Sequence, residues 1–510
     1  MNQAANANLF SRLFDGLDDP KRLAIETHDG ARISYGDLVA RAGQMANVLV
    51  ARGVKPGDRV AVQVEKSVAN IVLYLGTVRA GAVYLPLNTA YTLNELDYFI
   101  GDAEPSLVVC DPSKAEGIKA IAAKVKAAVE TLDSHGRGSL TDAAARAKPE
   151  FTTIARGNDD LAAILYTSGT TGRSKGAMLS HDNLASNSLS LVDYWRFTDK
   201  DVLIHALPIY HTHGLFVASN VTLFARASMI FLPKFDPETI IKLMARATVL
   251  MGVPTFYTRL LQNPALNKET TGHIRLFISG SAPLQVETFN AWAERTGHTI
   301  LERYGMSETL MLTSNPYRPE DGERRRGTVG FALPGVQLRV HDDAGAPCPA
   351  GEIGGIEVHG PNVFAGYWRM PQKTKEEFTA DGWFKTGDVG KLDADCRLTI
   401  VGRSKDLVIT GGYNVYPAEV EGFINELPGV AESAVVGLPH PDFGEGVVAI
   451  VVPKPGNTLD GSAIVSALKD RIANFKVPKR VFVVEALPRN TMGKVQKNLL
   501  RQQHQGLFGG

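Results

Sequence analysis

Apolar and polar positions follow two different periods along this chain, and the two periods predict alternating helices and strands. Over residues 34–53 an apolar residue recurs every three or four positions, which is typical of a helix with one buried face. A period of two follows at Val60, Val62 and Val64 and predicts a strand. The segment Lys114–Arg156 is rich in alanine and lysine and is expected to be a helical surface excursion. The pattern continues with one further helix and two further strands, over Val68–Arg79, Ser106–Cys110 and Leu161–Tyr166.

The pattern of predicted elements changes after residue 330. Short predicted strands separated by turn-forming clusters fill residues 330–402, which indicates a β-rich sub-lobe. Beyond Lys405, strands and helices alternate over roughly 100 residues, a length that can fold alone. We therefore expect an α/β protein with two domains. The large N-terminal domain of layered sheets would cover residues 1–403, and a small α+β domain would cover residues 404–510.

Length and composition narrow the class of protein without identifying it. A chain of 510 residues is too long for one hydrophobic core, and 44% of its residues are hydrophobic. Its 54 basic residues balance 54 acidic ones, so nothing global favours nucleic acid or an anionic membrane as a partner. The three cysteines are far apart and match no metal-binding or disulfide pattern. Because no signal peptide or apolar span is visible either, we expect a cytoplasmic protein.

A loop rich in glycine and hydroxyl side chains, Thr167–Gly176, follows the predicted strand that ends at Tyr166. Its glycines permit tight turns, its serine and threonines offer hydroxyl donors, and Lys175 adds a positive charge. Ser180 is typical of a helix cap, so a strand, the loop and a helix N-terminus would gather N–H groups around an anion. The spacing does not match a Walker sequence. We expect the loop to bind a polyphosphate, with a flexible surface turn as the alternative.

Five motifs in a fixed order resemble those of the adenylate-forming superfamily, which includes acyl-CoA synthetases, peptide-synthetase adenylation domains and firefly luciferase. They are YTSGTTGRSKG from Tyr166, YGMSET from Tyr304, TGD from Thr386, GRSKDLVITGGYNVYPAEVE from Gly402 and PRNTMGK from Pro488. The resemblance spans nearly the whole chain. It implies an enzyme that uses ATP to activate a carboxylic acid as its acyl-adenylate. It also implies that the C-terminal domain is mobile about a hinge at Lys405.

The chemistry of adenylation explains the residue types in these motifs. A carboxylate that attacks the α-phosphorus of ATP is already ionised at neutral pH, so the site must neutralise phosphate charge rather than supply a strong base. We therefore expect Mg²⁺, and the resemblance assigns it to Glu308 and Thr170, which offer oxygen ligands. The resemblance also makes Lys494 the catalytic residue that bridges the α-phosphate and the substrate carboxylate. An exposed lysine without a function is the alternative for Lys494.

The resemblance further implies a nucleotide site that several motifs build together. Tyr304 is expected to stack on adenine, with core packing as the alternative. Asp388 is expected to accept hydrogen bonds from the ribose hydroxyls, with a solvated turn as the alternative. The full expected ATP-binding set is Thr167, Ser168, Gly169, Thr170, Thr171, Gly172, Lys175, Gly280, Ser281, Ala282, Glu302, Tyr304, Gly305, Ser307, Asp388, Arg403 and Lys494.

One further role follows from rotation of the C-terminal domain, and one candidate partner follows from the charge of the catalytic lysine. After rotation, the loop Gly411-Gly412-Tyr413 is expected to line the tunnel for the pantetheine arm of coenzyme A, because adjacent glycines permit close approach. A plain hairpin turn is the alternative. A lysine acetyltransferase is a candidate regulatory partner, because neutralising Lys494 would stop adenylation.

The choice of acid is expected to depend on an arginine. Arg259 follows Phe256 and Tyr257 in a run that is otherwise apolar, and a guanidinium suits bidentate capture of a carboxylate. An arginine that reaches solvent or pairs internally is the alternative. The segments ALPIYHTHGL, MGVPTFYTRLL and ISGSAPL are similar to bacterial malonyl-CoA synthetases, in which an arginine at this place receives the second carboxylate of malonate. The expected substrate-binding residues are Arg259, His211, Ser281 and Met306.

The sequence therefore predicts a reaction in which ATP, malonate and coenzyme A give malonyl-CoA, AMP and diphosphate. Methylmalonate is the expected secondary substrate, because one added methyl group costs a binding pocket about 1–3 kcal/mol at most. A ligase for another short or aromatic acid is one alternative. An adenylating enzyme that loads a carrier protein is a second, and a non-catalytic nucleotide sensor is a third, although the presence of both Glu308 and Lys494 argues against the sensor.

Overall fold

The computed structural model describes residues 6–167, 174–342, 344–469, 471–490 and 493–508. Its helices are α1 Leu9–Phe14, α2 Tyr35–Ala51, α3 Val68–Arg79, α4 Leu93–Ala103, α5 Ala115–Lys124, α6 Ser139–Ala144, α7 His181–Tyr194, α8 Asn220–Phe224, α9 Pro237–Leu243, α10 Pro254–Leu261, α11 Lys268–Thr271, α12 Val286–Thr296, α13 Pro371–Glu377, α14 Pro417–Asn425, α15 Gly461–Lys469 and α16 Lys497–Gln503. None of these described helices has the length and apolar character needed to cross a membrane.

The strands belong to four sheets. They are β1 Leu23–Thr27, β2 Arg32–Ser34, β3 Arg59–Gln63, β4 Val83–Pro86, β5 Leu107–Cys110, β6 Ala128–Thr131, β7 Leu161–Thr167, β8 Lys175–Ser180, β9 Val202–His205, β10 Ser228–Phe231, β11 Val249–Gly252, β12 Leu276–Ser279, β13 Leu301–Met306, β14 Leu310–Ser314, β15 Phe331–Ala332, β16 Gln337–His341, β17 Gly354–His359, β18 Gly366–Tyr367, β19 Phe384–Leu392, β20 Leu398–Arg403, β21 Val408–Thr410, β22 Tyr413–Val415, β23 Val430–His440, β24 Gly444–Pro453 and β25 Arg480–Val483.

Two large sheets form the N-terminal part. The seven-stranded sheet has the order β18-β8-β7-β4-β3-β5-β6, and the nine-stranded sheet has the order β15-β14-β13-β12-β11-β9-β10-β1-β2. Both have parallel central strands, which are buried on both faces and therefore consist mostly of apolar residues. One continuous core contains side chains from both sheets and from helices α1, α2, α3 and α7. The predicted layered α/β architecture is confirmed.

Local sequence signals explain where several helices begin. Helix α2 starts after Ser34, whose hydroxyl accepts from the N–H of Asp37 while the Asp37 carboxylate accepts from the N–H of Ser34. The predicted helix over Val68–Arg79 has the same bounds in the structure. The prediction for Lys114–Arg156 was partly wrong, because this segment contains helices α5 and α6 and, between them, the edge strand β6. Strand β6 pairs with β5, so its backbone groups form hydrogen bonds within the sheet. In a segment lying on the surface the same groups would bond to water.

Two smaller sheets follow along the chain. The four-stranded sheet β16-β17-β19-β20 ends at Arg403 and corresponds to the predicted β-rich sub-lobe. A short helical turn, Ser404–Asp406, then leads to a five-stranded sheet made only of strands β21 to β25. Two apolar clusters bury this sheet against its own helices, and all their members lie beyond residue 407. The chain thus has a separate C-terminal domain with its own core, as predicted.

Candidate active site

The phosphate loop joins two antiparallel strands rather than a strand and a helix. Thr167 at the end of β7 pairs with Lys175 at the start of β8, and helix α7 begins only at His181, after its cap Ser180. The predicted strand, loop and helix order was therefore wrong, because Lys175–Ser180 completes a hairpin first. The N-terminus of α7 therefore does not directly follow the loop. The expected phosphate-binding residues at its tip, Ser168, Gly169, Thr170, Thr171 and Gly172, lie outside the described residues.

Glu308 is buried, with 5% of its surface exposed. It lies in the region, here called the cleft, where its charge interacts with those of Lys175, Arg403 and Lys494. The hydroxyl of Tyr367 donates to its Oε1 at 3.0 Å, and the N–H of Phe364 donates to its backbone carbonyl at 2.8 Å. Burial raises the pKa of Glu308, while Tyr367, Arg403 and Lys175 oppose the shift. A buried carboxylate facing several cations is the kind of group that binds a divalent metal or stabilises nearby positive charge.

A connected set of three side chains lies in the same cleft, where the charge of Arg403 acts on Glu308. Asp388 on β19 and Arg403 on β20 are paired residues of neighbouring strands, and Arg403 Nε lies 2.7 Å from Asp388 Oδ1. The hydroxyl of Tyr304 donates to the other oxygen of the same carboxylate. Burial raises the pKa of Asp388, and Arg403 counteracts this shift. Tyr304, Asp388 and Arg403, which the resemblance assigned to the nucleotide, therefore form one hydrogen-bonded group.

Close backbone packing shapes the wall between these residues. A Cβ atom at Gly305 would lie 1.9 Å from the carbonyl oxygen of Leu310, so only glycine fits there. Ser281 has a positive φ of 71°, which turns the chain sharply after β12. Ala282 is exposed and Ser307 half-buried. Glu302 is buried, and its Oε1 accepts from the N–H of Leu284 at 2.9 Å. It therefore fixes the turn, and its expected part in binding ATP stays a prediction.

Glu302 gives a testable pH dependence of stability. Burial raises the pKa of its carboxyl group to about 8 from the ordinary 4.5. The folded chain therefore holds this proton more tightly than the unfolded chain, and the stability that results is lost as the pH rises from 4.5 through about 8. We expect Glu302→Gln, which cannot lose a proton, to gain in melting temperature relative to wild type as the pH is raised from 5 to 8. Thermal unfolding across this range measures the difference, with the exposed Glu294→Gln as control, and a difference independent of pH would contradict the shift.

Lys494 reaches the same cleft from the C-terminal domain. Its backbone is fixed by Asn490, whose Oδ1 accepts from the Lys494 N–H at 3.0 Å. The side chain is surrounded by protein on several sides and is still accessible to solvent, as expected in an open cleft. Burial and the charge of Arg403 lower the pKa of Lys494, whereas Asp388 and Glu308 raise it. Among the described residues its ammonium group makes no hydrogen bond or ion pair.

Arg303 is a buried cation that the sequence analysis did not select. Strand alternation directs it away from its neighbours Glu302 and Tyr304, to the opposite face of β13. It is 3% exposed, and its Nε and Nη2 have no hydrogen-bond partner within the described ranges. Burial lowers the pKa of Arg303 to about 9. A Cβ atom at Gly280 would lie 2.3 Å from its Cζ, so glycine at this position makes room for the guanidinium.

Two histidines, His211 and His213, lie close enough to Arg303 for its charge to act on them. His213 begins a π-helical turn, His213–Ser219, and its Nδ1 lies 3.4 Å from the hydroxyl of Ser281. Burial, together with the positive charges of Lys494 and Arg303, lowers the pKa of His211 to about 3, so this ring is neutral. The Nε2 of His213 is buried without a partner in the described part of the chain. Unpaired buried polar atoms are rare in folded proteins, and several together indicate a ligand site.

Arg259 lies in surroundings different from those expected. The apolar run that contains it consists of strand β11 and then helix α10, which buries Tyr257 and Leu260 but leaves Arg259 exposed. It forms no hydrogen bond or ion pair with any residue that the structure describes. The expectation that apolar neighbours hold this guanidinium was therefore wrong, although its role in binding substrate stays a prediction. Met306 is half-buried at the end of β13.

The residues expected to bind coenzyme A and to form the hinge lie at the start of the C-terminal domain. Gly411 and Gly412, both with positive φ, make the tight turn between β21 and β22. Tyr413 is 58% exposed and stacks on Phe475 with ring centroids 4.7 Å apart. Lys405 lies in the turn between β20 and β21, and burial lowers its pKa to about 8.

Known proteins provide an independent comparison. A model of the AMP-binding enzyme family matches residues 17–368, and a model of the AMP-binding enzyme C-terminal domain matches residues 419–494. The ATP-bound MatB from Rhodopseudomonas palustris has 70% sequence identity and a TM-score of 0.97, over 99% of this chain and 100% of that one. The apo form of the same protein, over the same shares, has a TM-score of 0.86.

Two further relatives carry assigned activities. A malonate–CoA ligase from Arabidopsis thaliana is 36% identical over 531 residues, which cover 94% of this chain and 86% of that protein. A feruloyl-CoA synthase from Amycolatopsis sp is 36% identical over 479 residues, which cover 93% and 95%. Together the fold and the cleft define an ATP-dependent, AMP-forming ligase that joins a carboxylic acid to coenzyme A. The chain belongs to the AMP-binding enzyme family.

Proposed function

We propose that this protein is a malonate–CoA ligase, which forms malonyl-adenylate from malonate and ATP and then transfers the malonyl group to coenzyme A. The observation that carries the proposal is the buried guanidinium of Arg303, which forms no ion pair among the described residues and whose Nε and Nη2 lack a hydrogen-bond partner there. The carboxyl group of Glu302 acts on it electrostatically, but burial raises the pKa of Glu302 to about 8, so this group does not supply a full counter-charge at neutral pH. A buried charge without a counter-charge is strongly unfavourable, and a second carboxylate on the substrate would supply it. The name of the Arabidopsis relative and the 70% identity to MatB support the same substrate.

The two carboxylates of malonate would then have different partners. One would face Lys494 and the α-phosphate of ATP, where it reacts. The other would accept from the unpaired Nε and Nη2 of Arg303, a geometry that suits bidentate binding. His211 is neutral and therefore adds a hydrogen-bonding group without a second charge. The expected partner role of Arg259 stays a prediction, because this side chain is exposed.

Adenylation depends on neutralising charge around the α-phosphate. Lys494 is proposed to hold the attacking carboxylate and an α-phosphate oxygen together, and the ammonium is available for both because it forms no ion pair with any residue that the structure describes. Lys175 extends the positive charge towards the loop that would hold the β- and γ-phosphates. Tyr304, Asp388 and Arg403 are proposed to bind the adenosine part.

The residues present fit Mg²⁺. Within the described ranges, no three His, Cys, Asp or Glu side chains gather as a metal-binding cluster. Mg²⁺ in nucleotide-using enzymes needs only one or two carboxylates, because phosphate oxygens and water complete its shell. Glu308 is such a carboxylate, and we propose that it holds the ion together with Thr170. Mg²⁺ would supply neutralisation of the phosphate charge.

Thioester formation is proposed to require rotation of the C-terminal domain about Lys405. The residue before it, Ser404, donates to the carbonyl of Gly387 at 3.1 Å in the N-terminal domain, whereas the residue after it, Asp406, pairs with Arg501 at 2.8 Å in the C-terminal domain. Lys405 is therefore the point between two anchored neighbours. The different TM-scores with ATP-bound and apo MatB support motion of this kind. After rotation, Gly411, Gly412 and Tyr413 would contact the pantetheine arm.

One experiment tests the assignment directly. We expect pyrophosphate release with malonate, weaker release with methylmalonate, and thioester only when coenzyme A is added. The rate of pyrophosphate release is measured with a panel of monocarboxylates, dicarboxylates and ferulate. Ferulate is the most informative alternative substrate, because the chain is 36% identical to a feruloyl-CoA synthase. Faster release with ferulate than with malonate would overturn the proposal. Regulation by a lysine acetyltransferase at Lys494 stays a prediction, which the solvent accessibility of this side chain supports.

A further inference from the structure

Strand β18 ties a distant part of the chain to the phosphate loop. Its two residues pair antiparallel with β8, the strand that follows the loop, with Tyr367 opposite Ala177. On either side of this pair, Trp368 N–H donates to the Gly176 carbonyl at 2.7 Å and Ala365 N–H donates to the Met178 carbonyl at 3.1 Å. The backbone position of Tyr367 is therefore fixed relative to the end of the loop.

The side chain of Tyr367 contacts two residues of the proposed phosphate and metal region at once. Its hydroxyl donates to Glu308 Oε1 at 3.0 Å, and the ammonium group of Lys175 lies 4.1 Å from the centre of its ring. The ring of Phe364 packs edge-on against it, with centroids 4.9 Å apart. Tyr367 is only 3% exposed, so it cannot move away from these contacts without disturbing the core.

A third contact completes the arrangement around Lys175. Glu377, at the end of helix α13, lies 3.3 Å from the Lys175 ammonium and belongs to the segment that directly follows β18. Lys175 is thus held between an aromatic face and a carboxylate. An ammonium over a tyrosine ring gains about 0.5–2 kcal/mol, depending on how far it is desolvated, which is enough to select one side-chain conformation.

We propose that Tyr367 is a positioning residue for the metal–nucleotide complex, which orients the carboxylate of Glu308 through its hydroxyl and the ammonium of Lys175 through its ring. This role for Tyr367 depends on one part of the proposed function, namely that Glu308 is the carboxylate that binds the metal. A donor behind a metal-binding carboxylate fixes its orientation, and loss of such a donor typically costs about 10- to 100-fold in metal affinity. Tyr367 itself touches neither substrate nor metal.

The hydroxyl and the ring can be tested separately. Tyr367→Phe removes only the hydroxyl, whereas Tyr367→Leu removes the ring face as well. The probes are Mn²⁺, followed by its electron paramagnetic resonance, and α,β-methylene-ATP, whose carbon bridge between the α- and β-phosphorus prevents transfer of its adenylyl group. Tyr194→Phe is the matched control, because it removes a hydroxyl that bonds the carbonyl of Ser314.

We expect Tyr367→Phe to weaken Mn²⁺ binding to the enzyme–analogue complex by about 10- to 100-fold and to leave metal-free binding of the analogue near the wild-type value. Tyr367→Leu is expected to weaken metal-free binding too, because Lys175 loses its support. Unchanged Mn²⁺ affinity in Tyr367→Phe would overturn the proposal. The binding measurement contains no acid, so it decides the positioning role whatever the acid panel shows.

A double-mutant cycle with Glu308→Gln separates positioning from core packing. If Tyr367 acts through Glu308, then Tyr367→Phe has no further effect on Mn²⁺ affinity once Glu308→Gln is present. Additive losses would contradict the proposal. A second readout is the Mg²⁺ concentration at half-maximal pyrophosphate release, which should rise in Tyr367→Phe while the maximal rate at saturating Mg²⁺ returns towards wild type. A purely structural defect would not be relieved by added metal.

Discussion

Lys494→Ala is expected to reduce acyl-adenylate formation by at least about 10²- to 10³-fold and to leave thioester formation from a supplied acyl-adenylate close to the wild-type rate. Removal of one preorganised group that stabilises developing charge has an effect of this size. The ammonium of Lys494 has no competing ion pair among the described residues, so its charge is directed at the cleft. Single-turnover measurements of pyrophosphate release and of thioester formation report the two half-reactions separately.

The selectivity of the loss for one half-reaction follows from the position of the lysine. Lys494 lies on the C-terminal domain and would leave the cleft when that domain rotates, so the second half-reaction proceeds without it. Lys497→Ala is the matched control, because Lys497 pairs with Glu421 at 2.7 Å inside the C-terminal domain. An equal loss in both half-reactions would show that Lys494 is needed for folding or for domain placement instead.

Many residues of the cleft could be predicted because the motifs resemble those of a family with known chemistry. The spacing of the motifs along the chain does not show that their residues lie close together. Glu308, Asp388 and Lys494 lie far apart in the sequence, and the pairing of β19 with β20 and the position of the C-terminal domain bring them together. No periodicity within a single segment contains that information. The resemblance supplied it, whereas hydrophobic patterning alone supplied the helices, the strands and the change of pattern after residue 330.

The misses have local physical causes. The phosphate loop was expected to lead into a helix because Ser180 is a good cap, and it is one, but the six residues of β8, Lys175–Ser180, first pair with β7. Arg259 was expected in apolar surroundings because the run around it is apolar. This run is a strand, β11, up to Gly252 and a helix, α10, from Pro254. The side chains of a strand alternate between two faces, whereas those of a helix repeat every 3.6 residues, and Arg259 lies on the exposed face of the helix.

Arg303 was missed although its neighbours in the sequence were selected. A strand exposes alternate residues on opposite faces, so a segment that points Glu302 and Tyr304 to one side must point Arg303 to the other. The signal available in the sequence was therefore a cation between two site residues within a strand. What the sequence could not supply was the lack of a hydrogen-bond partner for Nε and Nη2 of Arg303 among the described residues, since that depends on which strands and turns pack against β13.

Arg303→Met is expected to lower kcat/KM for malonate by about 10²- to 10³-fold while acetate and propionate are used as well as before or better. Truncating one partner of a buried, hydrogen-bonded charge pair costs about 2–5 kcal/mol, and much of this cost comes from the charge that is left without a partner. In Arg303→Met that charge is the second carboxylate of malonate. Monocarboxylates have no such charge. Pyrophosphate release over the acid panel measures the change in selectivity, and Arg259→Met beside it tests which arginine acts.

The same substitution should also stabilise the protein, which separates a binding role from a structural one. In the free enzyme Arg303 is a buried cation whose Nε and Nη2 have no partner among the described residues, so replacing it by an apolar side chain of similar length removes an unfavourable charge. A raised melting temperature together with lost malonate selectivity is therefore expected. If Arg303→Met instead unfolds the chain, or if only Arg259→Met alters selectivity, then Arg303 serves the fold and the exposed arginine of α10 binds the second carboxylate.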